Sequence, residues 1–151
     1  MKVAIAADHA GFEYKAAIVT ELASAGYEVL DLGAHNPDPN DDYPDYAAAV
    51  AQSLLNKQAE RGILICGSAV GVSIAANKFK GIRAGVCHDS YSAHQGVEHD
   101  DVNILCMGQR VIGINLALEI ALIFLKAKYS GLTRHQRRLE KIRAIEDKNM
   151  K

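Results

Sequence analysis

The chain has 151 residues, of which 49% are apolar and 23% are charged, a composition typical of a folded globular protein and unlike that of a disordered one. Its 17 basic and 18 acidic residues leave a formal net charge of −1, so no overall field favours nucleic acid or an anionic membrane. The length is that of one domain, and we expect residues 1–151 to fold as a single unit.

No stretch of the sequence has the pattern of a membrane span or of a signal peptide. The N-terminal apolar stretch is stopped by Asp8, and the longest apolar segment, VIGINLALEIALIFLK, is interrupted by two polar residues. The cysteines Cys66, Cys87 and Cys106 are widely spaced in or at the ends of apolar runs, as reduced thiols are. The sequence therefore predicts a cytoplasmic protein.

Short apolar runs alternate with segments of helical length along the chain. The predicted strands are residues 2–7, 27–33, 62–67, 82–87 and 102–108. The predicted helices are residues 12–26, 43–57, 70–79, 90–99, 113–129 and a C-terminal tail at about 133–151. The third and fifth strands are apolar almost throughout, as strands covered on both faces are. This alternation predicts an α/β fold with a doubly wound, five-stranded parallel sheet.

Three segments carry further expectations. The stretch 33–45 is rich in turn formers and is predicted to be a loop over the top of the sheet. The helix at 113–129 is apolar nearly all round, so a second element or another subunit must cover it, and a symmetric dimer is the simplest arrangement. The basic tail places Leu139, Ile142 and Ile145 where they can pack back on the body.

Ligands of a doubly wound sheet bind beyond the carboxyl ends of its strands, so the residues after each strand are candidates for chemistry. Asp8 and His9 follow the first strand, and the loop GSAVG follows Cys66 at the end of the third. A buried cysteine is usually an inert filler, but this one precedes a loop that opens a helix, where a thiolate is stabilised. The N–H groups of the loop and the Ser68 hydroxyl are suited to hold a phosphate or an enolate oxygen.

Other polar residues have both an ordinary and a functional interpretation. Single histidines usually have no catalytic role, but His9 and His99 fall at the ligand edge and are candidates for acid–base work. Zinc is disfavoured because the cysteines stand on separate strands without a close ligand pair. Arg134 and Arg138 are spaced to grip one phosphate from a helix face, whereas binding of nucleic acid by the tail lacks a basic surplus elsewhere.

Together these residues resemble the ribose-5-phosphate isomerase B family, which also includes allose-6-phosphate isomerase and the galactose-6-phosphate isomerase subunits. The motifs that carry the resemblance are DHAG at 8–11, DYP at 42–44, ILICGSAVGVSIAANKFKGIRA at 63–84, EHDDVN at 98–103, MGQR at 107–110 and RHQRR at 134–138. They run in the family's order and spacing from residue 2 to about residue 147. The resemblance implies a Rossmann-like three-layer α/β/α sandwich with a C-terminal helix.

The resemblance also implies an activity: a metal-free isomerase without a cofactor that interconverts ribose 5-phosphate and ribulose 5-phosphate through an enediolate, in the pentose phosphate pathway. Cys66 would move the proton between C1 and C2, and His99 would be the acid that opens the furanose ring. The expected substrate contacts are Asp8, His9 and Tyr43 to the sugar, Gly67, Ser68, Ala69, Val70 and Gly71 to the enediolate, and Arg110, Arg134 and Arg138 to the phosphate. A homodimer or homotetramer would share each site between subunits.

Two positions depart from the family's pattern. Ala69 replaces a glycine of the loop, and its Cβ costs about 1 kcal/mol if the residue has positive φ and nothing if it is helical. Asp100 replaces an asparagine whose amide donates to the enediolate, which an ionised carboxylate cannot do. Either Asp100 is protonated in place, or it turns away to an arginine, or the enzyme is slower or prefers another sugar. We expect the second outcome.

Four alternative functions compete with this interpretation. The first is the same isomerisation of allose 6-phosphate or another hexose 6-phosphate. Comparing turnover of pentose phosphates with turnover of hexose phosphates distinguishes it from the leading interpretation. A diverged sugar-phosphate-binding protein with weak catalysis would bind substrate with little turnover, and only Ala69 and Asp100 support it. A flavodoxin-like electron carrier shares the order of elements, but the chain has no tryptophan and such a carrier needs no three arginines at one edge. A nucleic-acid-binding tail would show a strongly salt-dependent affinity.

Overall fold

The structure is a computed structural model that describes residues 1–150, and every element overlaps the segment predicted for it. The strands are β1 (Lys2–Ala7), β2 (Glu28–Asp31), β3 (Arg61–Cys66), β4 (Ala84–Val86) and β5 (Ile104–Gly108). The helices are α1 (Phe12–Ser24), α2 (Tyr43–Leu55), α3 (Val70–Ala76), α4 (Ser90–Asp100), α5 (Ile114–Lys126) and α6 (Thr133–Asn149). Among residues 1–150, no helix is both long enough and apolar enough to cross a membrane.

The five strands form one parallel sheet in the order β2-β1-β3-β5-β4. The three inner strands are almost completely buried, which matches their apolar sequences. The two edge strands are shorter than predicted. At the start of β4, the Asn77 side chain accepts a hydrogen bond from the N–H of Ala84 and donates one to the Ala84 carbonyl.

Each face of the sheet is covered by helices, which gives two separate cores. On one face, α1, α4 and α5 pack against alternate residues of the strands, such as Ile5 and Ile65. On the other, α2 and α3 pack against the intervening residues, such as Leu64 and Cys106. This arrangement confirms the Rossmann-like three-layer sandwich. Because α1 and α3, the helices that follow β1 and β3, pack on opposite faces, a crevice opens at the carboxyl ends of these two strands.

The last two helices fit the expectations in part. Helix α5 lies between α1 and α4 on its face of the sheet, so elements of the same chain supply much of its cover. The Arg61 guanidinium donates to the carbonyls of Phe124 and Ala127 at the end of α5. On α6 only Leu139 packs into the body, whereas Ile142 and Ile145 remain 43% and 64% exposed.

Candidate active site

A cavity of about 310 Å³ lies at the carboxyl ends of β1, β3 and β5, within the size range of small-ligand sites. The residues that line it are Asp8, His9, Ala10, Tyr43, Cys66, Gly67, Ser68, Gly71, Arg110 and Val111. The cavity thus collects most of the predicted site residues from three strand ends and from the start of α2. Two residues of the predicted loop do not line it, because Ala69 is completely buried and Val70 is 53% exposed.

The sulfur of Cys66 accepts a hydrogen bond from the backbone of its own loop. The N–H of Ala69 donates to Cys66 Sγ over 3.1 Å. Ala69 has a φ of 73°, in the left-handed region. Of the two conformations considered for it, the structure therefore has the strained one. That backbone turn points the N–H back at the sulfur. An N–H donor in this position favours negative charge on the sulfur.

The other two cysteines are free thiols inside the sheet layers and do not line the cavity. Burial raises the pKa of Cys87 to about 11 and raises that of Cys106 as well. Both therefore stay protonated at neutral pH and serve as apolar filling. Of the three cysteines, only Cys66 lines the cavity.

The end of β5 pins the Cys66 loop through its backbone. The N–H of Gln109 donates to the Cys66 carbonyl over 2.9 Å, and the N–H of Arg110 donates to the Gly67 carbonyl over 3.0 Å. A Cβ on Gly108 would lie 2.8 Å from the Gly67 oxygen, so only glycine lets the two segments meet this closely. The loop is therefore fixed to the end of β5.

His88 adds a support that the sequence did not reveal. Its Nε2 accepts a hydrogen bond from the N–H of Gly108 over 2.8 Å. An imidazole can accept at Nε2 only while neutral and protonated at Nδ1. Burial lowers the pKa of His88, which maintains that form, although nearby Asp89 opposes the shift.

The two loop glycines make room for side chains of the cavity wall. A Cβ on Gly71 would lie 2.6 Å from the ring of Tyr43, and one on Gly67 would lie 3.0 Å from the guanidinium of Arg110. We expected these glycines to bring the backbone close to a ligand. Their close neighbours are the predicted ligand-binding side chains themselves, which the glycines allow to lean over the loop.

Asp41 belongs to this site although it was absent from the predicted set. Its Oδ1 lies 2.6 Å from His9 Nδ1 and accepts from the His9 backbone N–H over 3.1 Å, and its Oδ2 accepts from the Tyr46 hydroxyl over 3.1 Å. The hydrogen bond to Asp41 is the main reason that the pKa of His9 is raised. Asp41 lies in the irregular stretch 33–45, and its only signal was that it stands just before the DYP motif.

Asp8, His9 and Asp41 have carboxylate oxygens and a ring nitrogen within 4.8 Å of one another, a grouping that resembles a metal site. Their hydrogen bonds indicate a different use. His9 Nδ1 and an Asp41 oxygen bind each other, and Asp8 accepts from the N–H of Ala10 over 3.0 Å. Burial raises the pKa of Asp8. All three side chains therefore already have hydrogen-bond partners within the chain.

The sequence of the chain matches a known family along almost its whole length. The family model described as Ribose/Galactose Isomerase matches residues 3–142. The chain belongs to the ribose/galactose isomerase family. Ribose-5-phosphate isomerase B of Escherichia coli is 48% identical over 147 residues, which cover 97% of each protein. This finding confirms the resemblance on which the predicted site residues rest.

Solved structures of the same family have the same fold. The ribose-5-phosphate isomerase B of Clostridium thermocellum is 47% identical, with a TM-score of 0.94 over 98% of this chain and 99% of that one. The enzyme from Mycoplasma genitalium, solved with bound ribulose-5-phosphate, is 40% identical, with a TM-score of 0.92 over 98% of this chain and 97% of that one.

A second cluster, which we call the α4–α6 cluster, contains three residues that the family resemblance selected, His99, Arg134 and Arg138, together with His135, which was not predicted as a site residue. None of them lines the Cys66 cavity. The rings of His99 and buried His135 stack with centroids 4.1 Å apart. Burial, His99 and both arginines lower the pKa of His135. Within residues 1–150 the exposed guanidiniums of Arg134 and Arg138 form no ion pair.

Asp100 also lies outside the Cys66 cavity, and the contact expected for it is made by its neighbour. The guanidinium of Arg83 pairs with the carboxylate of Asp101 over 2.9 Å and donates to the Asp101 carbonyl. Asp101 ends α4 in the left-handed conformation, which turns it toward Arg83. The expectation that Asp100 pairs with an arginine is therefore wrong within the described residues. Asp100 lines a separate cavity with Ile142.

Proposed function

We propose that the chain interconverts ribose 5-phosphate and ribulose 5-phosphate by moving a proton between C1 and C2. The observation that carries this proposal is the hydrogen bond from the Ala69 N–H to Cys66 Sγ inside a polar cavity. The E. coli relative named ribose-5-phosphate isomerase B and the M. genitalium structure with ribulose-5-phosphate support the choice of substrate. The unpaired cysteines suit a protein of the reducing cytoplasm.

In this reaction the Cys66 thiolate takes the proton from C2 of the open-chain aldose. The electron pair of the broken C–H bond forms a C1–C2 double bond, and negative charge collects on the carbonyl oxygen. The resulting enediolate is stabilised by N–H groups of the loop 67–71. A proton then passes from the C2 hydroxyl to O1, and return of the carbon-bound proton from Cys66 to C1, with re-formation of the carbonyl at C2, gives the ketose. His99 supplies the acid that opens the furanose ring before this step.

The charged side chains divide the substrate between them. Asp8 and Tyr43 reach the sugar hydroxyls from the cavity wall, while Arg110 and His9 bring positive charge to the same wall. Arg110, Arg134 and Arg138 take the phosphate. A phosphate held away from the reacting carbons orients them and lowers the barrier by fixing their position.

The site needs a second copy of the chain, because the α4–α6 cluster does not line the Cys66 cavity. Beside the Cys66 loop, Val70 and Ile74 of α3 are 53% and 56% exposed. Exposed apolar side chains next to an incomplete site are the pattern expected where a partner docks. We infer a homodimer, alone or within a homotetramer, in which each cavity receives His99, Asp100 and both arginines from the other copy.

The test compares Cys66→Ala with Cys87→Ala, since each variant loses one thiol and only the first loses the base. We expect Cys66→Ala to lower kcat for ribose 5-phosphate by at least about 10³-fold, because general-base catalysis is worth about 10²–10⁴-fold. Cys87→Ala should keep wild-type turnover at temperatures where it stays folded. Incorporation of solvent deuterium into the sugar should be lost with turnover in Cys66→Ala alone.

Two outcomes would contradict the proposal. Unchanged turnover in Cys66→Ala would remove Cys66 as the base. Faster turnover of allose 6-phosphate than of ribose 5-phosphate by the wild-type protein would keep the reaction and change the sugar.

A further inference from the structure

The hydrogen-bonded pair of His9 and Asp41 has a task that the reaction above does not assign. We propose that Asp41 is a positioning residue for His9: it fixes the ring and keeps it doubly protonated, so that the Nε2–H edge serves the cavity as a second cation beside Arg110. The proposal rests on the proposed function in one respect, that the anion to be bound is the phosphate of the substrate.

The geometry of Asp41 fixes His9 at two points. One oxygen, Oδ1, is bonded to both the ring Nδ1 and the backbone N–H of His9, at 2.6 Å and 3.1 Å. The other oxygen accepts from the Tyr46 hydroxyl, and the Asp41 side chain is only 8% exposed. A carboxylate held on both oxygens holds its partner in one rotamer. Because Nδ1 is occupied, the nitrogen left for a ligand is Nε2.

The charges around His9 favour its cationic form. The titratable groups that surround it are Asp8, Asp41, Arg110, Cys66 and Tyr43. The hydrogen bond to Asp41 raises the pKa of His9, partial burial opposes this effect, and the charges of Asp8 and Asp41 add to the rise. The charge of Arg110 lowers the pKa of His9 by a smaller effect, and both side chains line the same cavity.

The Asp41 carboxylate is held in its charged form by the same contacts. Burial alone would raise the pKa of Asp41, but hydrogen bonds from the side chain and backbone of His9 and from Tyr46 outweigh burial and lower it. The carboxylate is therefore ionised over the whole range in which His9 titrates. This constant negative charge separates Asp41 from an asparagine, which offers the same acceptor geometry without the charge.

The consequence is a pH dependence with a definite sign. Below the ordinary histidine pKa, near 6.5, His9 is protonated with or without Asp41. Above it, only the ring paired with the carboxylate stays charged, until the pH passes the raised pKa. Loss of the Asp41 charge should therefore weaken phosphate binding at alkaline pH and leave it unchanged at acid pH.

The kinetic test measures KM and kcat for ribose 5-phosphate at pH 6, 7 and 8 in wild type, Asp41→Asn and Asp38→Asn. Asp38 is an exposed carboxylate of the same loop and bonds to Asn40 instead of to His9, so it controls for net charge. We expect the KM of Asp41→Asn to rise relative to wild type by about three- to tenfold at pH 8 and by less than about twofold at pH 6, since a partly exposed charged contact is worth about 1 kcal/mol. Asp38→Asn should follow wild type.

A second measurement needs no turnover. NMR titration of the imidazole signals in the substrate-free protein gives the His9 midpoint, with His9→Gln identifying its resonance among the six histidines. The midpoint should lie above that of an ordinary histidine in wild type and fall in Asp41→Asn.

The outcomes separate the two proposals. If the His9 midpoint falls in Asp41→Asn but the wild-type protein does not turn over ribose 5-phosphate, the proposed substrate is overturned and the role of Asp41 is upheld. Normal turnover with a KM ratio that is the same at every pH, or a wild-type midpoint no higher than the ordinary value, overturns the role of Asp41.

Discussion

The Cys66 cavity and the α4–α6 cluster both contain histidine and arginine side chains, but they differ in how far their polar groups are bonded within the chain. In the cavity the polar groups are bound within the chain: His9 to Asp41, and Cys66 to the Ala69 N–H. In the α4–α6 cluster the two arginines are exposed and form no ion pair within residues 1–150. The polar groups of the cavity are therefore positioned by contacts within the chain, whereas the two arginines of the α4–α6 cluster are available to bind an anion.

The charged groups that surround the histidines of the two regions also differ. Carboxylates in the cavity raise the pKa of His9, so cationic charge there is offset locally. In the α4–α6 cluster, burial and the surrounding cations lower the pKa of His135, and the opposing effect of Glu98 is smaller. Exposed positive charge attracts an anion, which agrees with the proposal that Arg134 and Arg138 bind the phosphate.

The largest expected effect tests whether the two regions meet across copies. Cys66→Ala and His99→Ala should each be nearly inactive alone. Mixed under conditions that allow exchange, they should recover about a quarter of wild-type activity, because half of the dimers are hybrids and each hybrid has one intact site. Steady-state turnover of the mixture against each variant alone measures the effect.

The control for this mixture pairs Cys66→Ala with the double variant Cys66→Ala/His99→Ala, in which no arrangement restores a site. Activity should stay at the level of the single variants. If the first mixture also stays inactive although mass labelling shows that subunits have exchanged, the two regions do not form a site across two copies, and the inferred shared site is wrong.

A smaller effect concerns the support under the cavity. His88→Ala removes the acceptor for the buried Gly108 N–H and should lower the free energy of unfolding by about 1–2 kcal/mol at pH 7. His88→Gln, whose amide oxygen accepts, should recover most of the loss. Urea denaturation of the three proteins measures it, and equal stability of the alanine variant and wild type would show that the contact supports nothing.

The same contact makes stability depend on pH with a known sign. The pKa of His88 is lowered in the folded chain, so its contribution is complete above the unfolded pKa, near 6.5, and is lost as the pH falls toward the folded value. The drop in stability between pH 7 and pH 5.5 should therefore be smaller in His88→Gln than in wild type. His135 has a lowered pKa too and accounts for part of the drop that remains.

The smallest effect concerns backbone strain in the loop. Ala69→Gly should raise the free energy of unfolding by about 0.5 kcal/mol, because relief of a positive φ is worth about 1 kcal/mol and the added freedom of the unfolded chain takes back part of it. Ala75→Gly, inside α3, should instead destabilise by about 0.5–1 kcal/mol. Thermal unfolding of both variants measures the contrast, and a loss of stability in Ala69→Gly would mean that the loop stores no strain.

The fold and the Cys66 side of the site could be predicted because both leave periodic or contiguous signals. Apolar runs mark the strands, and parallel strands place Asp8 and Cys66 at one edge of the sheet whatever the strand order. Asp41 left no such signal, because a turn-rich loop has no period from which the direction of a side chain can be read. The same limit applies to Asp100 and Asp101, where a left-handed residue at the helix end decided which carboxylate meets Arg83.

The contact between Gly108 and Gly67 has a consequence for how a ligand comes and goes. Where two backbones pack this closely, neither segment can move without disrupting the sheet beside it. This wall of the cavity therefore stays rigid while a ligand enters or leaves. The sugar must enter past side chains that can rotate, such as Tyr43 and Arg110. The timing of entry and release is then governed by changes of side-chain rotamer.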